Sequence, residues 1–136
     1  MTHPAFLAGL ILLLALPAFP VGAQVDCSVP SGATRTFCSE QELKRADDAL
    51  NAAWSEARVA ARGFDDAYPD LPGTPMWEQL LASQRQWLRY RDATCEAEAK
   101  PASLGGSGYG GTLNECATRL TLRRTDDLHA LTDRLR

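Results

Sequence analysis

Between Trp77 and Cys95 the apolar residues Trp77, Leu80, Leu81, Trp87 and Leu88 recur at three- and four-residue steps, the spacing of one face of an α-helix. Extended, that face takes in Gln84, Arg91 and Cys95. An unpaired buried guanidinium is very costly, so a core-facing stripe that admits an arginine obliges other segments to bring acceptors to it. The stretch therefore demands partner helices that are themselves polar at defined positions.

Two such partners are legible. Ser39 followed by Glu42 reads as a capping box and predicts a helix from about Glu40, with Leu43, Ala46, Leu50, Ala53, Trp54, Ala57 and Ala61 on its inner stripe and Asp47 on or beside it. Gly63 is expected to end that helix, and Phe64 to Gly73, with Pro69, Pro72 and Gly73, to form the connection. Thr74-Pro75 reads as the start of the central helix, with Thr74 as cap, and Pro101 as its stop after about Ala99. Thr112 with Glu115 is a second capping box, opening a third helix. Its stripe is Leu113, Cys116, Ala117, Leu120, Arg124, Leu128, Leu131 and Leu135, again with an arginine on the apolar face. Asp26 to Phe37 reads as an extended lead-in, and nothing alternates with period two. The fold class expected is all-α: a three-helix bundle, up-down-up, with a glycine-rich loop, Leu104 to Gly111, between helices two and three.

The first residues read as a targeting segment. Ala5 to Leu16 is an apolar run of signal-peptide length, broken by Pro17 and Pro20, and Val21-Gly22-Ala23 supplies compact residues for a cleavage site. Residues 1–23 are thus expected to be a signal peptide cleaved after Ala23, leaving one domain, residues 24–136, in the periplasm or secreted. No cysteine follows the cleavage site directly, so no lipid anchor is expected, and no later segment could span a bilayer.

In an exported chain the four cysteines Cys27, Cys38, Cys95 and Cys116 read as two disulfides. Cys38, Cys95 and Cys116 fall at one end of the expected bundle, within reach of Cys27. Sequence proximity favours Cys27–Cys38 with Cys95–Cys116, each worth roughly 3 kcal/mol on the chain-entropy model; the two other pairings stay geometrically open. A metal site would need closer cysteine spacing or more histidines than His129, so neither metal nor cofactor is expected.

Asp47, Gln84, Arg91 and Arg124 all point toward the axis between the helices. They are read as a buried, satisfied network that fixes register, with Asp47 accepting from Arg91 or Arg124 and Asn51 and Gln84 filling the remaining bonds. Removing one member is expected to cost about 3–5 kcal/mol.

Catalysis finds little support. The doublets Asp47/Asp48, Asp65/Asp66 and Asp126/Asp127 point adjacent carboxylates in different directions on a helix. His129 sits among Thr, Asp and Arg near the C-terminus. Ser107 in Gly-Gly-Ser-Gly has no strand-to-helix elbow around it, and no GK[ST] follows the glycines to hold a phosphate. A net charge of −3 speaks against nucleic acid and suits a basic protein partner.

Four segments in order carry a family resemblance: Cys38-Ser-Glu-Gln-Glu-Leu-Lys-Arg-Ala-Asp-Asp-Ala-Leu-Asn51; Gln84-x-x-Trp87-x-x-Tyr90-Arg91-Asp92-x-x-Cys95; Gly105-Gly106-Ser107; and Cys116 with Thr121-x-x-Arg124-x-x-x-Leu128. Together they resemble the lysozyme inhibitor LprI-like N-terminal domain family of small exported bacterial helical domains, from about Cys27 to Leu131. Trp54 departs from the tyrosine more usual there, and Gly108-Tyr-Gly-Gly111 extends the usual segment before the fourth cysteine. The resemblance implies a protein-binding domain that blocks a lysozyme-type muramidase without covalent chemistry, and carries no catalytic residues. The candidate partner-binding loop is Gly105, Gly106, Ser107 and Tyr109, since aromatic residues anchor interfaces. The chain is taken as a monomer. The alternative is an envelope adaptor or stress-related periplasmic protein with a different partner.

Overall fold

The computed structural model of the protein describes residues 25–136 apart from Pro30 and Ser107, so the expected signal segment lies outside the described residues. Three helices follow one another: α1 (Ala33–Ala67), α2 (Met76–Ala99) and α3 (Gly108–Leu135), with a 3-10 turn, Lys100–Gly105, between the last two. No strand occurs among the described residues. The all-α, up-down-up bundle is the fold expected, but the helix ends are not where the capping boxes put them.

α1 begins two turns early. The Ser31 amide donates to Thr34 Oγ1 at 3.0 Å while the Thr34 hydroxyl donates to the Ser31 carbonyl at 2.6 Å, which closes the first turn ahead of Ala33. Ser39, expected as the cap, lies inside the helix: its hydroxyl donates to the Thr36 carbonyl at 2.9 Å and accepts from Asn114 Nδ2 at 3.3 Å. The added turns dock on α3, where Arg35 donates to both carboxylate oxygens of Glu115, at 2.7 and 2.5 Å. Glu115 is therefore engaged across the bundle instead of folding back toward Thr112, and α3 starts at Gly108, a turn before the second capping box.

That pair fixes a pH dependence. Hydrogen bonding from Arg35, against a smaller opposing effect of burial, holds the Glu115 carboxyl below its ordinary range. A depressed carboxylate contributes stability that is present above its ordinary value and is lost as pH falls through its folded value. Glu115→Gln should therefore lower the melting temperature at neutral pH, and the gap from the parent should close in acid. A gap of unchanged size on both sides of that titration would contradict the pairing.

α1 also runs past Gly63, through to Ala67. The last turn is retained by its use: Asp65 accepts from the Met76 amide at 2.7 Å and the Trp77 amide at 2.9 Å. α2 is thus capped by a carboxylate from α1, which satisfies two orphan donors and opposes the positive end of the helix dipole. Thr74, the expected cap, contributes only its carbonyl, which accepts from Gln79 Nε2 at 2.6 Å.

α1 and α3 run parallel at a constant offset, since Arg35–Glu115 and Glu56–Arg136 both join residues 80 apart. They form the most extensive helix pair. α1 presents Ala46, Ala53, Ala57 and Ala61; α3 presents Thr121, Thr125, Leu128 and Thr132. The threonine stripe was not read from the sequence because threonine counts as polar. Inside a helix it need not be: Thr125 and Thr132 donate their hydroxyls to the carbonyls of Thr121 and Leu128, at 3.0 and 2.9 Å. α2 lies antiparallel to both neighbours. Leu80 joins Leu50, Ala53, Ala57, Ala61 and Leu128 in the main core, bordered by Trp54, Trp77 and Trp87. The buried line of α2 is Leu80, Gln84, Cys95 and Ala99, and Leu88, expected inside, lies one position off it and is exposed.

The disulfides are Cys27–Cys38 and Cys95–Cys116, the pairing favoured by proximity, with Cα separations of 5.6 and 5.5 Å. Cys95, Cys116, Ala117 and Leu120 form a second, smaller core beside the 3-10 turn.

Candidate functional site

The inward-facing polar residues sort into two groups. Arg91, on α2, donates from Nη1 to Asp47 Oδ1 of α1 at 3.1 Å and to Thr121 Oγ1 of α3 at 3.3 Å, so one guanidinium ties all three helices. Its Nε donates to Asp92 Oδ1 at 3.0 Å. Arg124, on α3, donates from Nε to Gln84 Oε1 at 2.9 Å and from Nη2 to Ser83 Oγ at 3.1 Å. Both guanidinium groups approach the Trp87 ring, Arg91 at 5.4 Å and Arg124 at 6.0 Å from its centroid.

The five residues singled out in the sequence are thus not one cluster. Asp47 accepts from Arg91, Gln84 from Arg124, and Asn51 is exposed with no side-chain hydrogen bond among the described residues. Thr121 and Ser83 complete the two groups and were missed, because small hydroxyl residues give no charge or periodicity signal. Burial pushes the Arg124 guanidinium pKa down, with Asp127 opposing through space.

Asp47, Asn51, Leu50, Trp54, Gln84, Leu88 and Arg91 line an open groove of about 350 Å³ between α1 and α2. The Asp47 side chain is 43% exposed, against 16% for Arg91. Water therefore screens Asp47, and Arg91 keeps Thr121 and Asp92 without it. Asp47→Ala is expected to cost about 1–2 kcal/mol, below the range for a fully buried pair, and denaturant unfolding would measure it.

At the crosslinked end the glycine-rich segment is not the loop expected. Gly105 closes the 3-10 turn, Gly106 follows with φ 108°, a left-handed conformation suited to glycine, and Ser107 lies outside the described residues. Tyr109, Gly110 and Gly111 belong to the first turn of α3. The last two are glycine for close approach: a Cβ on Gly110 would sit 3.1 Å from Thr36 Cγ2, and one on Gly111 3.3 Å from Arg35 Cγ. This packing presents Leu104, Tyr109 and Phe37 at the surface, with Leu104 91% exposed.

The acidic doublets have separate uses. Asp65 caps α2, Asp47 pairs with Arg91, and Asp48 pairs with Lys44 on the outer face of α1. His129, Asp126 and Asp127 are all exposed on α3. Among the described residues no three His, Cys, Asp or Glu side chains gather as metal ligands, and no helix is long and apolar enough to cross a membrane.

Comparison with known proteins matches residues 27–128 to the family model described as lysozyme inhibitor LprI. An uncharacterised protein of Rhizobium meliloti (strain 1021) is 30% identical over 125 residues, covering 90% of this chain and 89% of its own length. No solved structure matches.

Proposed function

The chain belongs to the lysozyme inhibitor LprI family, and from that membership we propose that it is an exported protein-binding domain that blocks a lysozyme-type muramidase without covalent chemistry. In this reading residues 1–23 direct export and are cleaved after Ala23, and the monomeric domain works in the periplasm or outside the cell. Muramidases of this type act with paired carboxylates in a cleft. A crosslinked end with protruding apolar residues has the form of a plug for such a cleft.

The observation that supports this most is the surface around the 3-10 turn. Leu104 and Tyr109 are held on regular backbone, flanked by the Cys95–Cys116 disulfide and by the packing of Gly110 and Gly111 on α1. A mobile glycine loop would lose ordering entropy on binding, whereas a preorganised one loses little. Gly105, Gly106, Ser107 and Tyr109, with Leu104, are the proposed contact segment.

The test is inhibition of cell-wall lysis by the mature protein against c-type and g-type lysozymes. Inhibition at micromolar protein or below is expected, and Tyr109→Ala should weaken it about tenfold with little change in melting temperature, as for an interfacial aromatic anchor. No inhibition of either class at micromolar protein would overturn the reading in favour of an envelope adaptor.

A further inference from the structure

Three arginines of the described chain are half-buried, Arg35, Arg91 and Arg124. Arg35 has Glu115 and Arg91 has Asp47 and Asp92 within salt-bridge distance; Arg124 has no carboxylate there. Its two protein partners, Gln84 Oε1 and Ser83 Oγ, are neutral acceptors. We propose that Arg124, with Ser83 and Trp87 of α2, is a receptor for a carboxylate, and that in the inhibitory complex this carboxylate is an acidic side chain of the bound muramidase. The second half of the proposal rests on the function proposed above.

A guanidinium carries five N–H donors. Nε and one Nη2 hydrogen are engaged, which leaves both Nη1 hydrogens and one on Nη2. The Ser83 hydroxyl accepts from Arg124 and so keeps its own hydrogen to donate. Gln84 fixes the Nε edge and the Trp87 ring lies beside the guanidinium, so the fork is oriented before a ligand arrives. A planar, preoriented fork matches a carboxylate bidentately, and charge-assisted bonds of this kind are about twice as strong as neutral ones. Burial pushes the pKa of the group down, with Asp127 opposing only through space, as expected for a cation held partly out of water with no carboxylate within salt-bridge distance. An arriving carboxylate would offset that cost.

The position suits the same interface. Arg124 lies on the α2–α3 side, the side bridged by the 3-10 turn, and 15 positions beyond Tyr109 is about 22 Å along α3. A standard interface of about 800 Å² per partner spans that distance.

The experiment has two arms on the mature chain. In the first, acetate is titrated into ¹⁵N-labelled protein while the Arg124 Nε–H and Trp87 indole N–H signals are followed; saturable shifts in both are expected in the parent, and no Trp87 shift in Arg124→Gln. In the second, inhibition of a lysozyme that the parent blocks is compared across variants. Arg124→Gln should raise the inhibitory concentration about thirtyfold, and Arg123→Gln, an equal charge change on the exposed neighbour, less than about threefold. Arg124→Lys keeps the charge and loses the fork, so an intermediate loss of about tenfold at unchanged melting temperature would separate recognition from folding. Equal inhibition by Arg124→Gln and Arg123→Gln would overturn the partner assignment. Acetate shifts that persist in Arg124→Gln would overturn the receptor itself. A parent that blocks no lysozyme would overturn the proposed function and the partner assignment, while the acetate arm would still decide the receptor.

Discussion

Replacing Cys95 and Cys116 together by serine should lower the unfolding free energy by about 3–5 kcal/mol and the melting temperature by about 15–25 °C. Closing a loop with a sequence separation of 21 accounts for roughly 3 kcal/mol on the chain-entropy model. The remainder comes from the site itself. Both cysteines are fully buried in an apolar cluster with Ala117 and Leu120, so serine would bury polar hydroxyls there and lose the packing of the sulfurs. Domains of this size are stable by about 5–15 kcal/mol, so the variant would retain little margin. Cys27–Cys38 closes a shorter loop and Cys27 is exposed, so its loss should cost less. Thermal unfolding followed by circular dichroism without reductant measures both, and a Cys95/Cys116 loss below about 1 kcal/mol would contradict the role assigned to the crosslink.

Leu128→Ala should cost about 3–5 kcal/mol, the upper part of the range for buried leucines. Leu128 is the largest of the fully buried side chains and packs with Leu50, Ala53, Ala57, Ala61 and Leu80. Such a cost depends on how far the neighbours collapse into the cavity. Three of these neighbours are alanines, whose methyl groups have no rotamers with which to move inward. Leu50 and Leu80 can change rotamer, but closing the space on the alanine side requires a shift of α1 as a whole, and the Arg35–Glu115 and Asp65 contacts hold it in place. Leu128→Met, which keeps the volume, should cost less than about 1.5 kcal/mol. Denaturant unfolding of the two variants distinguishes a rigid alanine face from one that repacks.

The parts of the fold that could be read from residues were those decided locally. α2 stood out through its tryptophan and leucine spacing between Pro75 and Pro101, and proximity favoured the disulfide pairing that the structure has. The starts of α1 and α3 were misplaced because a capping box is a local pattern, whereas Ser39 and Glu115 serve contacts across the bundle. The glycines before Cys116 read as a loop for the same reason. Glycine has low helix propensity, but at Gly110 and Gly111 the approach of Thr36 and Arg35 outweighs it. Asp65 gave no hint of capping a helix eleven residues on, since that depends on how the connection turns.

The candidate site was legible to a similar depth. Arginines on apolar stripes announced an inward-facing polar layer. Which acceptor each would meet depended on the register between helices, set by the constant offset of α1 and α3, and no single segment encodes it. Asn51 fell outside the layer on the same account. That Arg124 meets neutral acceptors and no carboxylate within salt-bridge distance became visible only once its neighbours were placed.

Hydrogen–deuterium exchange of residues 24–136, alone and with a lysozyme in excess, is the most direct test of the proposal that a rigid bundle binds a lysozyme through its crosslinked end. Slow exchange is expected through Leu80–Cys95 and Cys116–Thr132 in both states, with new protection confined to Leu104–Gly111 and the α2–α3 side around Ser83 and Arg124. Protection centred instead on the α1–α2 connection, Tyr68 to Gly73, or no change with the lysozyme in excess, would contradict it.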